Sequence, residues 1–231
     1  TIRNGFGTAA KALKESSVTI ALDTFTNDTI DAQQAAYLAA EGLVLGGYRV
    51  PNYKTTSNAQ DVTLEAATFI GEEDEAVLES FTVGCIYAEA QNEARSLVNM
   101  PPNLLTATAL ADYAVDLANE FGLEVEVLTK AEITELGMGG ILAVNQGSSE
   151  EPRVITLKYK ATDDWSDVLG LVGKGVTYDT GGYSLKPKDG MVGMKGDMGG
   201  AAAVLGAMRV IAQLKPAKNV VAVIGSTDNM V

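Results

Sequence analysis

Apolar residues recur along this chain in short continuous or alternating runs and in longer stretches at three- and four-residue spacing, the periods of strands and of helices. Residues Gly7–Glu15 read as a helix end, Val18–Leu22 as a buried strand, and the alanine-rich Asp31–Glu41 as a helix stopped by Gly42. Val62–Ile70 alternates as a strand does. Glu72–Val98 is the longest helical stretch and runs into Asn99-Met-Pro-Pro-Asn103, where Pro101 and Pro102 cannot continue a helix. Beyond the prolines the rhythm is regular. Thr106–Phe121 predicts a helix closed by Gly122, and Leu123–Leu128 a strand. Thr129 and Glu132 have the spacing of a capping box on a short helix that Gly137 closes. Arg153–Tyr159, Val168–Val172 and Val220–Ile224 predict further strands, with an apolar helix over Ala201–Leu214.

This order predicts an α/β protein in three parts: an α/β region over residues 1–71, a linking helix over 72–98, and an α/β domain over 99–231. Strands separated by helices lead us to expect a mainly parallel sheet in the last part, with ligands at the carboxyl ends of its strands. The loops after Val172 and Ile224 both meet that description.

Composition narrows the chemistry. Thirty acidic against 17 basic residues give a net charge of −13, which repels nucleic-acid phosphates and argues against nucleic acid as a partner. A single cysteine, Cys85, excludes an internal disulfide framework and suits a reducing cytoplasm. No run has transmembrane length and none reads as a secretory signal, so no membrane partner is expected. The first residue is Thr1 rather than Met, so an excised or processed piece is expected. Histidine is absent, so Ser-His-Asp and Cys-His catalysis and His-ligated zinc are all excluded. Any metal must be held by carboxylates, carbonyls, lysine or the thiol.

The stretch Gly173–Gly200 is dense in glycine and places Lys174, Lys186 and Asp197 beside Gly or Pro, with Asp179 two residues before Gly181, between a buried strand and a helix. Glycine at that density costs backbone entropy and offers no packing, as in a mobile surface loop or where backbone must approach a ligand. A phosphate loop fails, because position 168 is Val and Lys174 is followed by Gly175; the dinucleotide pattern fails at Tyr178. Two readings stay open. One is a structural lysine–aspartate network. The other is a metal site in which Asp179 and Asp197 offer oxygens and a deprotonated lysine offers nitrogen.

The sequences Gly173-Lys-Gly-Val-Thr-Tyr-Asp-Thr-Gly-Gly-Tyr-Ser-Leu-Lys-Pro187 and Met194-Lys-Gly-Asp-Met-Gly-Gly-Ala-Ala-Ala203 closely resemble the leucine aminopeptidase (cytosol aminopeptidase) family. Weaker similarity runs through Ala94–Asn103 and Glu41–Tyr48. The resemblance implies a remainder of a smaller, macro-like N-terminal domain, a linker helix, and the first part of a metallopeptidase catalytic domain. It implies hydrolysis of N-terminal, leucine-like residues from peptide substrates by a metal-bound hydroxide at a centre of two divalent ions, Mn²⁺ or Zn²⁺. By position, Lys174 resembles the neutral lysine ligand, Asp179 the bridging carboxylate, Asp197 a further ligand near the substrate amine, and Lys186 the cationic lysine that polarises the scissile carbonyl. Met194 falls where the family lines its side-chain pocket, so these five residues are the expected substrate-binding set. A cytoplasmic homo-oligomer, a hexamer, is implied as well. Tyr178 and Thr180 depart from the usual Phe and Ser.

The family draws its other metal ligands, an Asp and a Glu, from a downstream Asn-Thr-Asp-Ala-Glu-Gly-Arg segment whose Arg helps hold bicarbonate in the complete enzyme. This chain ends at Val231, before such a segment. The expectations for these 231 residues alone are therefore at most one weakly bound divalent ion, no peptidase activity, and association through apolar surface on Ala201–Leu214 and Val220–Ile224. The competing reading is a catalytically incomplete α/β scaffold or interaction fragment.

Overall fold

The computed structural model describes residues 1–50, 53, 64–70 and 74–231. Its contacts divide it into two units, Thr1–Asn92 and Glu93–Val231, with the division inside one helix.

In the first unit, helix α1 (Ile2–Ala12) precedes strand β1 (Ser17–Ile20), and helix α2 (Ala32–Gly47) precedes strand β2 (Ala66–Phe69). Strands β1 and β2 pair in parallel. Asp31 caps α2 in a full capping box with Gln34. Gly42 does not stop this helix. A Cβ at Gly42 would lie 2.7 Å from Phe6 Cβ, and one at Gly46 would lie 2.6 Å from Gly7 Cα, so both glycines let α1 and α2 pack closely. The core joins Phe6, Ile20, Leu22, Leu43 and Val77. The expected strand start at Val62 and helix start at Glu72 lie outside the described residues; helix α3 spans Glu75–Asn99.

The second unit contains helix α4 (Ala107–Phe121), strand β3 (Glu124–Leu128), short helices α5 (Lys130–Glu135) and α6 (Gly139–Val144), and strand β4 (Arg153–Tyr159). Strand β5 (Val168–Asp179), the one-turn helix α7 (Lys188–Met191), helix α8 (Gly199–Leu214) and strand β6 (Asn219–Asn229) follow. Thr106 caps α4 and Gly122 ends it in the left-handed region; Thr129 and Glu132 form the expected capping box. Leu110 and Leu117 of α4, Ile155 and Leu157 of β4, Leu205 and Met208 of α8, and Val220 and Ile224 of β6 share one core.

The α/β class holds, with a strand pattern different from the one expected. The sheet order is β3-β4-β6-β5, with β3–β4 and β4–β6 antiparallel and only β5–β6 parallel. Helices α5 and α6 lie between β3 and β4, and β4 runs back against β3, whereas α8 lies in the crossover connection that joins the parallel neighbours β5 and β6.

Both of those strands outrun their predicted ends. Gly173 and Gly175, the first glycines of the stretch that reads as loop, lie within β5. A Cβ at Gly173 would sit 2.8 Å from Ala201 Cα, and one at Gly175 would sit 2.8 Å from the Gly225 carbonyl oxygen, so the absence of side chains there lets α8 and β6 close on β5. Of the segments expected to expose apolar surface, Val220, Ile224 and much of α8 are buried, whereas Val223 is exposed at 37% beside its register partner Val172 of β5, exposed at 85%.

Candidate functional site

Lys174 and Asp179 stand on β5, the latter its last residue. There the chain turns sharply. Gly181 and Gly182 adopt φ of 90° and 62°, values that L side chains rarely reach, and Lys186 N–H donates to the Thr180 carbonyl at 2.9 Å. The turn brings Lys186 back beside Asp179. Lys186 Nζ forms an ion pair with Asp179 Oδ2 and donates to the Asp179 backbone carbonyl at 3.1 Å. Both side chains are largely buried, at 27% and 18% exposure.

Asp179 Oδ1 accepts from Gly181 N–H at 2.9 Å and from Asn229 Nδ2 at 2.7 Å. Burial pushes the Asp179 carboxyl up, but the hydrogen bonds from Lys186, Gly181 and Asn229 and the Lys186 charge outweigh it and hold the group at about 2. The carboxylate is ionised throughout the neutral range.

A second pair lies between β5 and the start of α8. Lys174 Nζ is 2.8 Å from Asp197 Oδ2. That oxygen is buried, and among the described residues the Lys174 ammonium is the cation that faces it, without an aligned hydrogen bond. Asp197 does not accept from the first amides of α8: it follows the 3-10 turn Met194–Gly196, and Met198 stands at the helix start without a side-chain cap. Met194 is half-buried in that turn. Lys195 Nζ donates to the Asn99 carbonyl at 2.6 Å and ties the turn down.

The four charged residues thus form two lysine–aspartate pairs, Lys186–Asp179 and Lys174–Asp197. Among the described residues, no three His, Cys, Asp or Glu side chains gather as a metal cluster. The donor set itself suits a divalent cation: carboxylate oxygens and a lysine nitrogen, one oxygen buried with only an ammonium facing it. Asn229 is the participant that the sequence pattern did not single out. Its signal was the polar run Ser226-Thr-Asp-Asn229 after an apolar strand, but its place opposite Asp179 follows only from the β5–β6 register.

Residues 92–231 match the model of the cytosol aminopeptidase family, catalytic domain, and residues 1–57 match that family's N-terminal domain. The chain belongs to the cytosol aminopeptidase family. Among solved structures it is similar to the bottromycin maturation enzyme BotP in complex with Mn, at 35% identity and a TM-score of 0.86 over 99% of this chain and 48% of that one. It is similar to cytosol aminopeptidase from Coxiella burnetii, at 28% identity and a TM-score of 0.79 over 98% of this chain and 46% of that one. Leucine aminopeptidase of Caenorhabditis elegans matches at 27% identity and a TM-score of 0.74, over 87% of this chain and 40% of that one. The chain therefore spans about half the length, or less, of these similar proteins. No helix among the described residues is long and apolar enough to cross a membrane.

Proposed function

We propose that the protein to which these residues belong is a metal-dependent aminopeptidase that removes N-terminal, leucine-like residues from peptides. The observation that carries this reading is the pairing of each site carboxylate with one lysine at the end of β5 and the start of α8, in a chain of the cytosol aminopeptidase family. The similarity to BotP, solved in complex with Mn, adds support for metal dependence.

In this reading Lys174, Asp179 and Asp197 hold divalent ions, Mn²⁺ or Zn²⁺. Such ions, when bound in a pair, supply a water acidic enough to act as nucleophile at neutral pH and positive charge for the carbonyl oxygen. The protein residues divide the remaining work. Lys174 would serve as a nitrogen ligand in its neutral form, as metal-bound donors must. Asp197 would offer its buried Oδ2. Lys186 keeps its proton. Its bond to the Asp179 carbonyl would keep it at the site with Asp179 Oδ2 available to a cation, and its ammonium would donate to the oxyanion that develops on the scissile carbonyl. Met194 contributes to the pocket for the substrate side chain. The 231 residues alone offer two carboxylates and one ligating lysine, too little negative charge to hold two cations close together, and by themselves bind at most one divalent ion, weakly, without turnover.

Hydrolysis of leucine amide or leucine anilide by the intact protein tests the reading. We expect activity that disappears on exhaustive chelation and returns with Mn²⁺ or Zn²⁺. Activity that survives chelation excludes the metal mechanism, and a protein that binds neither ion while its lysine–aspartate pairs persist is the scaffold of the competing reading.

A further inference from the structure

Asn229 ends β6 directly beside Asp179, its register partner on β5. Three contacts join the two strand ends. Asn229 Nδ2 donates to Asp179 Oδ1 at 2.7 Å, while the Asn229 carbonyl accepts from Thr180 N–H at 2.9 Å and from Thr180 Oγ1 at 2.8 Å. The amide orientation follows from its partner, because an ionised carboxylate oxygen can only accept. The turn glycine opposite fits the same arrangement: a Cβ at Gly182 would lie 2.9 Å from Asn229 Oδ1.

The two oxygens of Asp179 are consequently unequal. Oδ1 receives Gly181 N–H and Asn229 Nδ2, which together occupy both of its lone pairs. Among the described residues Oδ2 faces only Lys186, a long and rotatable side chain that has a second acceptor nearby in the Asp179 carbonyl. Rotation of the carboxylate would break two hydrogen bonds at once.

We infer that Asn229 is a positioning residue for the metal site: with the Gly181 amide it fixes the Asp179 carboxylate so that Oδ2 alone is presented to a cation. This rests on the proposed metal-dependent function. It adds a residue that would touch neither ion nor substrate and would act through the ligand it orients. Removing a hydrogen-bond partner of a metal ligand typically weakens metal affinity by roughly 10- to 100-fold.

The test is Mn²⁺ titration by calorimetry on the intact protein, comparing wild type with Asn229→Leu, which keeps the size and loses the donor. Asn229→Ser is the second variant, since its backbone can still accept from Thr180. Asn219→Ala is the structural control on the same strand: Asn219 clamps the 161–164 turn through both ends of its amide, far along β6 from Asp179. We expect the Mn²⁺ Kd of both Asn229 variants to rise by roughly 10- to 100-fold, with excess Mn²⁺ restoring leucine-anilide turnover. Asn219→Ala should lower the melting temperature with Kd unchanged. A wild-type Kd in either folded Asn229 variant, or turnover that excess Mn²⁺ does not restore, overturns the inference and leaves the metal reading standing. Absence of Mn²⁺ binding by the wild type overturns both.

Discussion

Lys186 donates to two atoms of one residue, Asp179 Oδ2 and the Asp179 backbone carbonyl. The second bond does not depend on the first. The ammonium can therefore let go of the carboxylate and remain anchored at the end of β5. That distinguishes it from Lys174, whose described ion-pair partner is the Asp197 side chain.

The first prediction follows from this separation. Lys186→Ala should lower turnover by roughly 10²–10³, the effect of losing one donor to a developing oxyanion. Its Mn²⁺ affinity should stay near that of the wild type. Steady-state kinetics on the metal-loaded protein measures the loss; an unchanged kcat would remove Lys186 from the chemistry.

The second concerns acid stability of the metal-free protein. The folded-state value of about 2 for Asp179 lies below the unfolded value of about 3.9. Its contribution to stability is thus fully present above about pH 4 and is lost as pH falls toward 2. Thermal unfolding of wild type and Asp179→Asn should differ by a constant amount between pH 5 and 7 and converge below pH 4. A gap that widens on acidification would contradict the hydrogen-bonded, ion-paired carboxylate.

The third addresses the contact of β5 with α8. In Gly173→Ala the new methyl meets Ala201 Cα and the Gly200 carbonyl, both backbone atoms. Overpacking of that kind typically destabilises by about 1–3 kcal/mol. Because α8 follows Asp197, the shift should also weaken divalent-ion binding. Denaturant unfolding and Mn²⁺ titration on the same variant read the two effects, and wild-type values in both would show that the helix moves freely.

The fourth concerns the exposed sheet face. A polypeptide restricted to these 231 residues should self-associate through the surface around Val172 and Val223, and Val172→Lys should reduce the association seen by sedimentation. A monomeric wild-type polypeptide at tens of micromolar would contradict this.

Local signals were legible where a short-range interaction decides the structure. Thr129 with Glu132 and Thr106 with Gly122 set helix ends through bonds within a few residues. Lys174, Asp179, Lys186 and Asp197 stood out because glycine and charge share one short stretch. Gly42, Gly173 and Gly175 misled because a glycine that ends an element and one that admits a neighbouring element look alike along the chain; the difference is the distance to α1, α8 or β6. Asn229 was hidden for a related reason. Its partner lies 50 residues away, and only strand pairing brings the two together.

The central claim is that the two site lysines have opposite duties, one as metal ligand and one as retained cation. Elemental analysis of the intact protein purified with Mn²⁺, as ions per chain, tests it most directly. The account predicts full occupancy in Lys186→Ala and loss of one ion in Lys174→Ala. Loss of metal in Lys186→Ala with full retention in Lys174→Ala would contradict it.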